Sequence, residues 1–63
     1  MEIKVEDIIL LDDKEYCVIK KYNDYYIIIS LEKPIDIKIG KYDDGKFVTE
    51  IDKKIIKEVL LSN

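Results

Sequence analysis

The sequence predicts a small, mostly β domain of the α+β class, in which an antiparallel sheet is followed by a C-terminal helix. The strongest evidence is the segment YYIIISL at residues 25–31, because aromatic and β-branched residues fit a pleated, buried surface and seven residues are the length of a strand. In addition, apolar residues alternate with charged ones at positions 35–39 but follow helical spacing after residue 52. With 63 residues, the chain has room for one domain, which we place at 1–63.

The centre of the fold is predicted to be a hairpin of residues 16–22 and 25–31 around the turn Asn23-Asp24. A two-residue turn pairs Val18 with Ile29 and places Val18, Ile27 and Ile29 in the main core. The opposite face then carries Cys17, Ile19, Lys21, Tyr26, Ile28 and Ser30. Because both faces are largely apolar, we expect the hairpin to be covered on both sides.

A second hairpin is predicted around Asp43-Asp44-Gly45, after a break at Pro34. A two-residue Asp44-Gly45 turn would set Ile39 opposite Glu50 and so mix charge with the core. A three-residue loop at 43–45 instead sets Ile37 opposite Ile51 and Ile39 opposite Thr49. We therefore predict the three-residue loop.

The two ends of the chain complete the prediction. Ile3, Val5, Ile8 and Leu10 suggest one or two short strands before the turn Asp12-Asp13, so that strands occupy about 3–51. A helix is predicted at about 53–61, with Asp52 as its N-cap. Its apolar stripe is Ile55, Ile56, Val59 and Leu60. Five short strands with tight turns and a terminal helix fit a small SH3-like barrel best, and a strongly bent open antiparallel sheet packed by the helix is the alternative.

Two groups of residues carry a resemblance to known families. Val5-x-Asp7-Ile8-Ile9 and the later Lys14-Glu15-Tyr16-Cys17-Val18 resemble the opening of many SH3-like barrels, although the glycine that usually precedes the Asp is Glu6 here. Gly45-Lys46-Phe47-Val48, followed by Ile51-Asp52 and a short helix, resembles the ending of short uncharacterised proteins of Gram-positive bacteria and their phages. The resemblance implies no catalytic residues.

The composition argues against catalysis and metal binding. The chain has no His, Arg or Trp and a single cysteine, Cys17, which we interpret as a buried structural residue because no histidine can act as its base. The acidic pairs Asp12-Asp13 and Asp43-Asp44 are explained by turn formation and lack the alternating spacing of a calcium loop. We expect no enzyme activity, no metal and no cofactor.

Binding is the function that remains. Tyrosines cluster at the ends of the central hairpin, and tyrosine is enriched at interfaces because its large ring is rigid and its hydroxyl tolerates water. The predicted partner-binding residues are Ile19, Lys21, Tyr22, Tyr26, Ile28 and Tyr42. The expected partner is a host protein or a second copy of the chain in a homodimer.

A nucleic-acid-binding module is the alternative function. It would use Lys20, Lys21, Lys38 and Lys41 together with the neighbouring tyrosines, but the net charge of −3 and the absence of Arg weigh against it.

Composition also bears on source and location. The absence of Ala, Gln, Arg, His and Trp alongside abundant Ile and Lys indicates AT-rich codons, so we expect a bacterium or one of its phages as the source. For the binding module itself, we expect an accessory or inhibitor protein of a phage or mobile element. The lone cysteine and the absence of a signal-like or membrane-length apolar segment predict a cytoplasmic protein without a membrane partner.

Overall fold

The structure, a computed structural model, describes residues 3–62, which form one five-stranded antiparallel sheet and one helix. The strands are β1 (Ile8–Leu11), β2 (Lys14–Tyr22), β3 (Tyr25–Ser30), β4 (Ile37–Asp43) and β5 (Lys46–Thr49), and the helix is α1 (Lys53–Leu61). They follow one another in the sheet in chain order, so β1 and β5 are its two edges. The predicted mostly β class is confirmed, as a sheet curled into a half barrel with a C-terminal helix.

Three two-residue turns join neighbouring strands, and each uses residues that accept a left-handed backbone. Asp12 and Asp13 have φ of 51° and 64°, Asn23 has 54°, and Asp44 and Gly45 have 54° and 80°. Asp and Asn tolerate this region because their short side chains hydrogen-bond locally, and Gly has no Cβ to clash. Turns of this type match the right-handed twist of the strands, so they favour a curled sheet.

The main core lies on the inner face of the sheet, around the fully buried side chains of Tyr16, Val18 and Ile28. Ile9 from β1 and Phe47 from β5 pack against this cluster, although their strands are opposite edges of the sheet. Side chains from both edges can meet only if the sheet curls around this face. The inner face is therefore the concave side of the half barrel.

The predicted register of the central hairpin is correct from the turn to Lys20 and wrong beyond Ile19. Tyr22 lies opposite Tyr25 as expected, but a β-bulge at Ile19 shifts the pairing, so that Val18 lies opposite Ile28 and not Ile29. One extra residue in a strand exchanges the faces of everything beyond it. Ile28 is consequently in the inner core and Ile29 is on the outer face, where it is half-buried.

The β4–β5 hairpin uses the two-residue turn, so the predicted three-residue loop is also wrong. Tyr42 lies opposite Phe47, and their rings meet edge to face with centroids 5.5 Å apart. Phe47 also packs over Gly40, where a Cβ would lie 2.8 Å from the Phe47 ring. Glu50 is opposite Ile39, but its carboxylate is satisfied by the backbone N–H groups of Ile51 and Asp52, each at 2.9 Å. The charge is therefore held at the entrance of the helix and stays out of the core.

The helix has the predicted bounds and the predicted N-cap, since the Asp52 carboxylate accepts a hydrogen bond from the Lys54 backbone N–H. Val59 is fully buried, whereas Leu60, which the predicted stripe included, is exposed. Hydrogen bonds from the Tyr22 hydroxyl to Glu58 and from Lys20 Nζ to the Ser62 carbonyl tie α1 to the outer face of β2. The hairpin is thus covered on both sides, but the helix covers only the half of the outer face near Asn23.

The predicted N-terminal strands reduce to one. β1 begins at Ile8, and Glu6 precedes it with φ of 80°. The Glu6 N–H donates to the Val18 carbonyl and the Val18 N–H donates to the Asp7 carbonyl, so this segment is fixed to β2 at the bulge.

Candidate functional site

Three of the predicted partner-binding residues come together on the inner face. Tyr26 and Tyr42 meet edge to face with ring centroids 6.1 Å apart, and Lys21 Nζ lies 5.7 Å from the centroid of the Tyr26 ring. With Ile3 and Gly45, the two tyrosines line a cleft of about 280 Å³. This inner cleft is large enough for one side chain of a partner and presents two ring surfaces to it.

Tyr42 keeps its proton over a wider pH range than a free tyrosine. Its pKa is raised, first because burial disfavours the charged phenolate and second because a charged Tyr26 would repel it. At neutral pH the cleft therefore presents a neutral hydroxyl, which both donates and accepts hydrogen bonds.

The other three predicted site residues lie elsewhere. Ile28 is fully buried in the inner core and cannot contact a partner, so its assignment is a correction that follows from the bulge. Tyr22 lies on the outer face, where its hydroxyl donates to Glu58 at 3.1 Å and its pKa is raised by that bond. Ile19 is the exposed bulge residue of β2.

The lysines of the nucleic-acid alternative do not converge on one surface. Lys21 and Lys38 are on the inner face, and Lys38 Nζ forms an ion pair with Asp36 at 3.2 Å. Lys20 and Lys41 are on the outer face, where Lys41 Nζ lies 5.7 Å from the Tyr25 ring centroid. A single phosphate-binding track across these four lysines is therefore absent.

A second surface, which the sequence interpretation missed, covers the half of the outer face that α1 leaves open. The registers place four residues in one row across β1–β4: Ile8, Cys17, Ile29 and Ile37. A parallel row contains Leu10, Glu15 and Leu31, since Leu10 pairs with Glu15 and the Leu31 N–H donates to the Glu15 carbonyl. Ile8, Leu10, Leu31 and Ile37 are between 50% and 70% exposed. We call these two rows the outer apolar face; Glu15 is their one charged member.

The outer side of α1 is also apolar. Ile56, Leu60 and Leu61 form a shallow groove of about 330 Å³, bordered by Lys53 and Lys57. Leu60 and Leu61 are more than half exposed, although they lie on a helix whose opposite side is buried. The helix thus carries apolar side chains on two sides.

The alternation in β4 puts Ile37 and Ile39 on one face, but all four residues of β1 are apolar, so alternation does not assign its faces. The bulge at Ile19 had no such signal, because both possible faces of β2 contain apolar residues. As long as the bulge is unknown, Cys17 and Ile29 cannot be placed in the same row as Ile8 and Ile37.

Residues 3–62 contain no helix that has the length and apolar character to cross a membrane. In the same part of the chain, no group of three or more His, Cys, Asp or Glu side chains could hold a metal ion. Comparison with protein-family models, curated proteins and solved structures finds no match for this chain. The chemistry of its surfaces is therefore the basis for a functional proposal.

Proposed function

We propose that this chain is a small, non-enzymatic protein-binding module whose binding surface is the outer apolar face. The observation that carries the proposal is the alignment of exposed Ile8, Leu10, Leu31 and Ile37 on one half of the sheet. Contiguous apolar patches of this kind are uncommon on monomeric proteins and mark contact surfaces, because leaving them in water is unfavourable.

The total surface supports the same proposal. The chain exposes 4976 Å², whereas a compact monomer of its mass is expected to expose roughly 4250 Å². The excess of roughly 700 Å² is close to the roughly 800 Å² that each partner contributes to a standard interface.

The partner that we propose is a host protein or a second copy of the chain, in a reducing cytoplasm where the single Cys17 needs no disulfide partner. The role that we propose for the chain itself is that of an accessory or inhibitor protein of a phage or mobile element. Nucleic-acid binding has less support, because the lysines are divided between two faces and the net charge is −3.

Affinity capture from a lysate of the source organism tests the proposal. The bait is compared with a double variant, Leu10→Ser with Ile37→Ser, and with Ile51→Ser as a control, since Ile51 is 87% exposed and lies outside the sheet. Proteins retained by the wild type and by the control but lost from the double variant support the outer apolar face as the binding surface. Identical capture by all three baits contradicts it.

A further inference from the structure

We propose that the protein bound at the outer apolar face is a second copy of this chain, and that α1 of each copy lies on the open half of the other copy's outer face. This inference rests on the proposed function, because it names the partner of the same surface. Three properties of the molecule lead to it: the matching dimensions of the helix and the open half, their symmetric placement, and their opposite charge.

The helix and the open half of the sheet match in length. Nine residues of α-helix, Lys53–Leu61, extend about 13 Å. The row from Ile8 to Ile37 crosses four neighbouring strands, which span about 14 Å at the usual strand spacing. One helix therefore covers the open half without leaving a large part of it in water.

The placement of the two patches allows a closed pair. α1 is bound over the half near Asn23 through Tyr22 and Lys20, and the open half lies at the other end of the same face. A two-fold axis parallel to the face, running across the strands between α1 and the row Ile8–Cys17–Ile29–Ile37, turns the second copy over and exchanges the two halves. Both helices then lie side by side between the two sheets, and each helix has a sheet on both sides. Such an arrangement is isologous and stops at two copies.

Charge complementarity favours a second copy over other occupants. The outer side of α1 presents Lys53 and Lys57, and the outer apolar face contains Glu15 between Leu10 and Leu31. In the pair, these lysines lie over the partner copy's Glu15 while Leu60 and Leu61 meet its apolar rows. The same asymmetry holds for the whole chain, since α1 has three lysines and one glutamate and the remainder has 8 lysines and 13 acidic residues. Because the acidic remainder would repel an anionic membrane, such a membrane is a poor partner for the basic helix.

The area is sufficient for a specific dimer. Each copy contributes two patches, the groove of α1 and the outer apolar face, and both become buried in the same contact. The excess surface of roughly 700 Å² per copy approaches the roughly 800 Å² of a standard interface.

Sedimentation equilibrium from micromolar to millimolar protein tests the pairing, and charge exchange tests its geometry. The wild type is expected to double its mass from 7.5 kDa as concentration rises. Lys53→Glu with Lys57→Glu, and separately Glu15→Lys, should each weaken the dimer at least tenfold. Combining all three substitutions should restore the dissociation constant to within about threefold of the wild type. Lys4→Glu is the control for one Lys-to-Glu reversal away from the contact, because its neighbour Ile3 lines the inner cleft.

Recovery in the combined variant supports the helix-on-sheet contact, since a merely destabilised fold would not regain affinity. Circular dichroism at micromolar concentration checks that every variant is folded. A constant mass of 7.5 kDa up to millimolar wild type overturns the pairing. A dimer whose dissociation constant is unchanged by all three charge reversals overturns the proposed contact between α1 and the outer apolar face. Neither result decides the capture experiment, because a host protein bound at the outer apolar face would still be lost from the double variant if the chain did not dimerise, so the proposed function is tested separately.

Discussion

Ile28 and Ile29 are neighbours in β3 with opposite surroundings. Ile28 is fully buried in the inner core, opposite Val18, whereas Ile29 is half-buried on the outer face. Ile28→Ala should therefore destabilise the protein by about 2–5 kcal/mol, which is a large part of the stability of a small domain. Ile29→Ala should cost clearly less, because part of its side chain is already in water. Urea unfolding of both variants measures the difference, with Ile37→Ala as an exposed control. An equal loss for Ile28 and Ile29 would contradict the bulged register.

Glu6 is the one residue with positive φ, apart from Gly, Asp and Asn, among residues 3–62. A residue with a Cβ pays roughly 1–2 kcal/mol in this region, while replacing it by Gly adds unfolded-state entropy worth roughly 0.4–1 kcal/mol. The first term exceeds the second, so Glu6→Gly should stabilise the protein by up to about 1 kcal/mol. Glu6→Ala is the matched control, because it removes the carboxylate and keeps the Cβ. Thermal unfolding measures the difference. A melting temperature that rises equally in both variants would assign the effect to charge and not to the backbone.

At the scale of elements, the sequence was sufficient where one strong local signal dominated. The helix bounds at 53–61, the N-cap Asp52 and the Asn23-Asp24 turn were all predicted and are confirmed. The registers beyond the turns were not predictable, because they depend on contacts between distant residues. In β4–β5, the packing of Phe47 over Gly40 and the capture of Glu50 by backbone N–H groups decide the pairing, and neither follows from alternation alone.

None of the six predicted partner-binding residues lies on the outer apolar face, for the same reason. Three of them, Lys21, Tyr26 and Tyr42, meet at the inner cleft because they lie near the turns, where the bulge does not change their face. Ile28 was assigned to the wrong face because the bulge at Ile19 lies between its partner Val18 and the turn. The outer apolar face requires residues from four strands, so it becomes visible only when all three registers are known.

The two apolar sides of α1 should respond differently to substitution. Val59 is fully buried against the sheet, so Val59→Ala should destabilise the folded chain by about 1–2 kcal/mol. Leu60 is 54% exposed, so Leu60→Ala should leave the unfolding of a dilute sample almost unchanged. At high protein concentration, Leu60→Ala should instead reduce the concentration-dependent gain in melting temperature, because partner binding stabilises the folded state. Melting curves at low and high concentration separate these effects. An equal loss for both variants in dilute solution would contradict the burial of one side only.

At the scale of the whole molecule, ionisable groups connect the elements that the sheet alone does not join. The Tyr16 hydroxyl on β2 donates to Asp36 before β4 at 3.0 Å, and Lys38 on β4 pairs with the same carboxylate. Tyr25 on β3 contacts Glu50 at the entrance of α1, and Tyr22 on β2 contacts Glu58 within the helix. The stability of the whole fold is therefore linked to the protonation of these groups.

The direction of each pKa shift determines how the stability of the fold changes with pH. The pKa of Asp36 is lowered, first by the Tyr16 hydroxyl and next by Lys38, and the pKa of Glu50 is lowered, first by the Asp52 N–H. A carboxyl whose folded pKa is depressed stabilises the fold above its unfolded pKa of about 4, and this stability is lost as pH falls through the folded value. The pKa of Tyr16 is raised by burial, and the pKa of Tyr25 is raised mainly by burial. A tyrosine of this kind contributes fully below its unfolded pKa of about 10, and its contribution is lost as pH rises through the folded value.

Because the chain has no histidine, we expect a plateau of stability between about pH 5 and pH 9, with a decline on both sides. Melting temperatures across pH 2–12, recorded on dilute protein so that self-association does not contribute, measure the profile. Asp36→Asn should lower the melting temperature on the plateau, and its difference from the wild type should shrink as pH falls below about 4, because the wild-type carboxyl is then protonated first in the unfolded state and, at lower pH, in the folded state. Lys33→Gln is a control for charge alone, since Lys33 is exposed in the nearby β3–β4 connection. A difference for Asp36→Asn that persists unchanged at pH 2 would mean that the ionised carboxylate is not what holds β2 to the start of β4.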